Sequence, residues 1–227
     1  MMPRWPPMWP SPLSHRRVRS LALMALVLAA ATAEAGPREE ALARLADAGD
    51  VEARRLGAFV LADAGTMADA PALLAALRDA DERVRALAER ALWGVWSRSG
   101  DADVDHLLQA GVAEMQHGQL EAAVDTFSEV IRRRPEFAEG WNKRATVYYL
   151  IGEYRKSAAD CDEVLTRNPQ HFGALSGYGM IWLRLDEPAR ALERFEQALA
   201  VNPNMTSIRD AVEELRSLLI QRRRDAI

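Results

Sequence analysis

The sequence predicts an all-α fold built from repeated helix-turn-helix units, and three observations carry that prediction. Of its 227 residues 40 are Ala, whereas Phe, Trp and Tyr together number 15. Such a composition suits closely packed helices better than strands, which draw on β-branched and aromatic side chains. Pro135, Pro169 and Pro203 stand at intervals of 34 residues, a period typical of repeat architectures. Between them, apolar residues recur at i, i+3, i+4 and i+7, the spacing of one helix face. The balance of 49% hydrophobic and 27% charged residues excludes a wholly disordered chain, and a net charge of -4 argues against a general nucleic-acid binder. A single cysteine, Cys161, excludes an intrachain disulfide framework and a Cys-rich zinc module. Only Lys143 and Lys156 among 29 basic residues are Lys, so Arg clusters carry little weight one by one.

Residues 1–35 read as a signal peptide. Arg4, Arg16, Arg17 and Arg19 make a basic start, Leu21 to Ala33 is apolar but for Thr32, and Ala33-Glu34-Ala35 offers a small-x-small cleavage site before Gly36. The apolar run is shorter than the roughly 20 residues that span a bilayer; the alternative is an uncleaved anchor. Cleavage leaves 192 residues with 25 basic and 32 acidic side chains, a net of -7. The expected product is exported, periplasmic in a Gram-negative cell, with no stable membrane insertion.

Residues 36–100 contain a weaker repeat. Asp50–Leu61 and Asp81–Leu92 align at an offset of 31, matching Arg54 with Arg85, Leu56 with Leu87 and Leu61 with Leu92. Asp50 and Asp81 have the character of helix N-caps, and Pro71 of a first-turn proline. The Val84-Arg85 pair after Asp81 resembles HEAT repeats; the alternative is a pair of helical hairpins capping the units that follow. Ser97 to Asp101, with Gly100 inside, is the internal boundary, short enough that the halves should stack as one curved body.

From residue 101 onward the 34-residue register brings Leu107, Trp141 and Leu175 together, then Gly111, Ala145 and Gly179, then Gly118, Gly152 and Asp186 at a turn. Ala123, Ser157 and Ala191 follow, then Phe127, Cys161 and Phe195, then Val130, Val164 and Ala198. The small residue of each first helix admits the second helix closely. Gly118 and Gly152 end first helices, where a left-handed backbone costs Gly little, and the prolines stop second helices. These positions resemble three tetratricopeptide repeats, 104–137, 138–171 and 172–205. The first is the weakest, with Glu114 where an aromatic residue is expected. Residues 205–223, with Ile208, Val212, Leu215 and Leu219 on one face, read as a capping helix. The resemblance implies a right-handed α-solenoid, HEAT-like over 36–100 and tetratricopeptide over 101–227.

No constellation for bond-making chemistry stands out, and no cofactor or metal is expected. His106, His117 and His171 are isolated from any metal-binding spacing, and His106 and His171 at helix starts read as solvated surface. Cys161 occupies a core layer and reads as an inert apolar residue. Carboxylates read as exposed. Arg132–Arg134 and Arg222–Arg224 sit at helix ends, where the helix dipole accounts for them as well as an anionic partner does.

The resemblance moves attention to the concave groove formed by the first helices. Its expected lining is Leu108, Val112, Met115, Asn142, Lys143, Thr146, Tyr149, Ser176, Met180 and Leu183, mixed apolar and polar, suited to a peptide or a partner helix. One subgroup of the family grips a C-terminal carboxylate through cationic and amide residues. The matching positions here are Leu108, Val112, Lys143, Gly173 and Gly177, of which Lys143 alone is cationic, so no such clamp is expected. Gly173 and Gly177, i and i+4 on the groove side, leave two readings: close approach of a bound backbone, or room for Tyr149. The function expected is a scaffold or adaptor of the cell envelope, with an envelope enzyme's non-catalytic subunit or a periplasmic chaperone as alternatives.

Overall fold

The computed structural model describes residues 36–225; the leader reading falls on residues outside that range. The first four helices are α1 (Pro37–Leu45), α2 (Val51–Ala64), α3 (Ala70–Ala76) and α4 (Glu82–Trp96). Their starts are written in the sequence: Asp50 accepts from the Ala53 amide at 3.0 Å and Asp81 from the Val84 amide at 2.9 Å, and α1 and α3 carry Pro in their first turns. The aligned pair Arg54 and Arg85 has one job in both copies, donating to the carbonyls of the preceding loop, Asp47 and Ala48 in one and Asp79 and Ala80 in the other. Leu61, Leu73, Leu77, Val84 and Leu92 form the core of this unit. Its helices approach through glycine. A β-carbon on Gly57 would lie 2.5 Å from the Ala41 carbonyl oxygen of α1, and one on Gly94 2.5 Å from that of Ala62 in α2.

Seven more helices follow: α5 (Ala102–Gln116), α6 (Leu120–Arg133), α7 (Ala138–Leu150), α8 (Tyr154–Arg167), α9 (Phe172–Arg184), α10 (Pro188–Val201) and α11 (Thr206–Asp225). Among the described residues there is no strand, and the architecture is an all-α helical-repeat solenoid, as the 34-residue register predicts. The turn position is left-handed in all three units: φ is +75° at Gly118, +82° at Gly152 and +56° at Asp186. Asp186 thus takes a conformation that Asp tolerates better than most residues. The small-residue position is a socket. A β-carbon on Gly111 would lie 2.6 Å from Phe127 Cε1, and one on Gly179 2.5 Å from Phe195 Cδ1. In the middle unit Ala145 shares its buried cluster with the smaller Cys161. Helix α11 lays Ala211, Val212 and Leu215 against Ala191 and Phe195.

The two halves meet differently from the simple stacking expected. Rather than adding a layer ahead of α5, α4 reaches the start of the third repeat. Trp93 and Trp96 pack on His171 and Phe172 at the start of α9, and Phe172 belongs to the amino-terminal core. Asn204 donates to the Leu77 carbonyl at 2.8 Å, Asn202 to Glu89 at 3.1 Å, and Arg78 to the Ala200 and Val201 carbonyls. The connection at 97–101 carries Gly100 at φ +80°. It is held by Arg134, which donates to the Ser99 carbonyl at 2.9 Å.

Candidate functional site: a groove floor sealed by two indoles

Glu139, in the first turn of α7, is completely buried. The positive end of the helix favours a carboxylate there, and three side chains complete its surroundings. Asn142 donates to Oε2 at 3.0 Å, His171 Nε2 stands 3.1 Å from the same oxygen, and Lys143 Nζ is 2.9 Å from Oε1. The Lys143 approach has ion-pair distance without the alignment of a hydrogen bond, so Oε1 has charge compensation but no aligned donor. Burial pushes the Glu139 carboxyl up, and the Lys143 charge together with the His171 bond overcomes it, leaving it at about 2. The Ala174 amide donates to His171 Nδ1 at 3.0 Å. That fixes the imidazole tautomer, with its proton on Nε2 facing Glu139.

Trp96 stacks on His171 with centroids 4.3 Å apart, while Trp93 meets Phe172 edge-on at 5.3 Å. A β-carbon on Gly173 would overlap the Trp93 ring and nothing nearer. Both readings of Gly173 are therefore corrected: it makes room neither for Tyr149 nor for a foreign backbone but for the chain's own indole. The seal is incomplete in its polar pairing. Trp93 Nε1, Trp96 Nε1 and Asn142 Oδ1 are buried without a hydrogen-bond partner in the protein, each a cost of about 1–3 kcal/mol.

Two sequence expectations fail here. His171 is fully buried, because its ring caps α9 and bonds Glu139 at once, whereas His106 is exposed as expected. Carboxylates are not confined to exposed faces: Glu139, Asp69 and Asp160 are buried, each answered by a cation. The i, i+3, i+4 spacing of Glu139, Asn142 and Lys143 on the groove face was the available clue.

The expected groove residues divide into three groups. Asn142, Lys143 and Gly173 lie in the sealed floor, with Ser176 beside it donating to the Gly173 carbonyl at 3.0 Å. Leu108 is buried in the core with Val104 and Phe127, and Val112 and Met115 pack on that cluster. Thr146 is buried and bonds the Asn142 carbonyl, and Gly177 is buried. Tyr149, Met180 and Leu183 remain partly exposed, with Arg184 donating to the Tyr149 hydroxyl at 3.1 Å. Lys143, the one cation at the positions of a carboxylate clamp, is paired with Glu139.

Cys161 is buried and its thiol is pushed up by burial first and by the Asp160 charge second, so it holds no thiolate. Among the described residues no group of His, Cys, Asp and Glu is placed to hold a metal ion, and no helix is long and apolar enough to cross a membrane.

The architecture is that of a helical-repeat solenoid. Comparison with known proteins finds tetratricopeptide-repeat relatives. The tetratricopeptide-repeat family model matches residues 107–136. A TPR repeat-containing protein of Rhizobium etli is 35% identical over 120 residues, 53% of this chain and 59% of that protein. Anaphase-promoting complex subunit 7 of Dictyostelium discoideum is 32% identical over 37% of this chain and 15% of its own length. The chain thus spans about three fifths of the Rhizobium relative and a smaller part of the other. Among solved structures, the Sgt2 TPR domain of Aspergillus fumigatus matches 56% of this chain and 85% of its own with TM-score 0.52 at 20% identity. The first TPR of Spaghetti (RPAP3), bound to an HSP90 peptide, matches 52% and 93% with TM-score 0.50 at 19% identity. The chain therefore carries a tetratricopeptide repeat at residues 107–136 and is similar to tetratricopeptide-repeat proteins over about half of its length.

Proposed function

We propose that the chain is a protein-interaction adaptor of the cell envelope, without bond-making chemistry, that holds a peptide or partner helix in its tetratricopeptide groove. One observation carries this reading. Beyond the sealed floor, the first helices leave Tyr149, Met180 and Leu183 partly open, apolar side chains of the kind that anchor an extended segment. That the Spaghetti domain is bound to an HSP90 peptide supports the use of such grooves for peptides. That acidic peptide is not the expected ligand here, since Lys143 is engaged by Glu139 and Gly173 by Trp93. The leader reading supports export, and the HEAT-like amino-terminal unit belongs to the same exported product.

A photo-crosslinking residue placed at Met180 or Leu183 in living cells tests the reading. Discrete adducts from these positions, and none from Arg155 or Glu121 on exposed second-helix faces, are expected. Equal adducts from both faces, or none from the groove, overturn it.

A further inference from the structure

We propose that the amino-terminal four-helix unit is a releasable occupant of the tetratricopeptide groove, and that what replaces it presents an aromatic side chain to the Gly173 slot. The second clause rests on the function proposed above; the first does not. Three observations bear on it. The floor of the groove is shaped to an indole: Gly173 has no β-carbon where the Trp93 ring lies, and Trp96 stacks on the imidazole that caps α9. Closure leaves two polar atoms of α4 unanswered, Trp93 Nε1 and Trp96 Nε1. A permanent core joint buries few such atoms, whereas water reaches both when α4 lifts away. Finally, the link between the halves is five residues, 97–101, with Gly100 in the left-handed region, and release breaks the bonds of Arg134 and Asp105 to Ser99 and those of Arg78, Asn202 and Asn204 across the joint.

The occupant in the closed chain shows what the slot accepts. Helix α4 offers two indole rings at i and i+3, whose N–H groups find no partner in the protein. A partner segment that competes for the same floor carries at least one aromatic ring for Gly173 and leaves Glu139 paired with Lys143 and His171. A carboxylate-bearing anchor is disfavoured, because the buried Glu139 charge lies beneath it.

The chain contains its own reporter. Lys143 sits in the floor, one fifth exposed, and Lys156 lies on α8 in solvent, more than half exposed. In the full chain, Gly173→Leu places atoms in the space of the Trp93 ring. It is expected to raise acylation of Lys143 relative to Lys156 on the order of tenfold, while amides of α10 and α11 keep their exchange protection. Adding Trp93→Ala to Gly173→Leu removes the overlap but also the indole that seals the slot, so Lys143 stays reactive. Trp93→Ala with Trp96→Ala, which leaves every tetratricopeptide residue unchanged, is expected to open the floor in the same way and to enlarge the chain in small-angle scattering. If either variant instead loses protection throughout α5–α11, or if the Trp pair variant leaves Lys143 labelling and scattering unchanged, the unit is a fixed part of one core and the release is wrong.

The slot is tested with a synthetic peptide of residues 82–96 added to the Trp93→Ala, Trp96→Ala chain. The peptide is expected to return Lys143 labelling to the level of the unaltered chain, and the same peptide with Ala at position 93 is expected to fail. An open chain that ignores the peptide overturns the aromatic slot while leaving the adaptor reading to the crosslinking result. Crosslinks absent from Met180 and Leu183, with release and peptide capture intact, sink the adaptor reading alone.

Discussion

The two halves of the molecule bring helices together by different means. In α1–α4 the glycines Gly57 and Gly94 face backbone carbonyls, so whole helices approach through their main chains, and Arg–Asp forks tie successive pairs: Arg38 to Asp69, Arg54 to Asp79, Arg55 to Asp81. In α5–α10 the glycines Gly111 and Gly179 are sockets for the rings of Phe127 and Phe195. A backbone contact fixes helix separation but little else, whereas a ring in a socket also fixes rotation and register. That difference accounts for the stricter repeat of the second half. A socket and its ring must keep their spacing from unit to unit, while small residues along a backbone contact can drift.

Emptying a socket is expected to have the largest effect. Phe127→Ala or Phe195→Ala removes a fully buried ring and should cost about 3–5 kcal/mol, read as a fall in the urea midpoint. If the loss is under about 1 kcal/mol for both, the rings are not the organising contacts of their units.

The middle repeat sharpens the comparison, because Ala145 and Cys161 replace the socket and the ring. Cys161→Phe alone should overpack and cost about 1–3 kcal/mol. Adding Ala145→Gly should return part of that cost, a coupling of about 0.5–3 kcal/mol. Strict additivity in a double-mutant cycle would show that the two positions do not form one socket in this unit.

The same contrast explains what could be seen in the sequence. The ring-and-socket pairs sit 16 residues apart inside a 34-residue period, so Gly111 with Phe127 and Gly179 with Phe195 are legible without coordinates. So are the left-handed turns at Gly118 and Gly152 and the caps at Asp50 and Asp81. The joint between the halves is not legible, because Trp93 and Gly173 are 80 positions apart and belong to different repeats. Gly173 announced that something approached closely, but its occupant lay outside the repeat pattern. His171 misled for a related reason: at a helix start it looks solvated, and Glu139 at the far end of the same repeat and Trp96 from the first half bury it. The contact of Trp93 and Trp96 with the start of α9 could not be foreseen from periodicity.

Acid should separate the halves by a smaller effect, a slope rather than a step. At Asp69 burial opposes ionisation, but the Arg38 fork and the Thr66 amide hold the carboxyl below its ordinary value; Arg54 does so at Asp79, and Arg55 with the Val84 amide at Asp81. Carboxyls lower in the folded than in the unfolded chain add stability above about pH 4 and lose it as pH falls through the folded values. Glu139 acts in the same sense at the groove floor. Asp160 has the opposite sign, since its burial outweighs the Arg144 fork and raises it. Its contribution is present at low pH and is lost as pH rises through the raised value. Hydrogen exchange compared at pH 6 and pH 3 should therefore show α1–α3 losing protection first and α10–α11 last. The reverse order would mean that the Arg–Asp forks do not hold the first half together.

The smallest effect is expected where a charge pair resembles those forks in geometry but not in setting. Arg216 on α11 approaches Glu196 on α10 at 2.6 Å, as close as Arg38 approaches Asp69. The Asp69 side chain, however, is 1% exposed and Glu196 42%. In solvent the Coulomb gain is screened, and ordering two long side chains offsets most of what remains. Arg216→Ala should therefore change stability by no more than about 0.5 kcal/mol. Arg38→Ala strands a buried carboxylate with only the Thr66 amide and hydroxyl as partners, and should cost several times more. Measuring both in one urea series decides whether burial or distance sets the worth of an Arg–carboxylate pair in this chain. Equal losses would favour distance and undo the distinction drawn between the two halves.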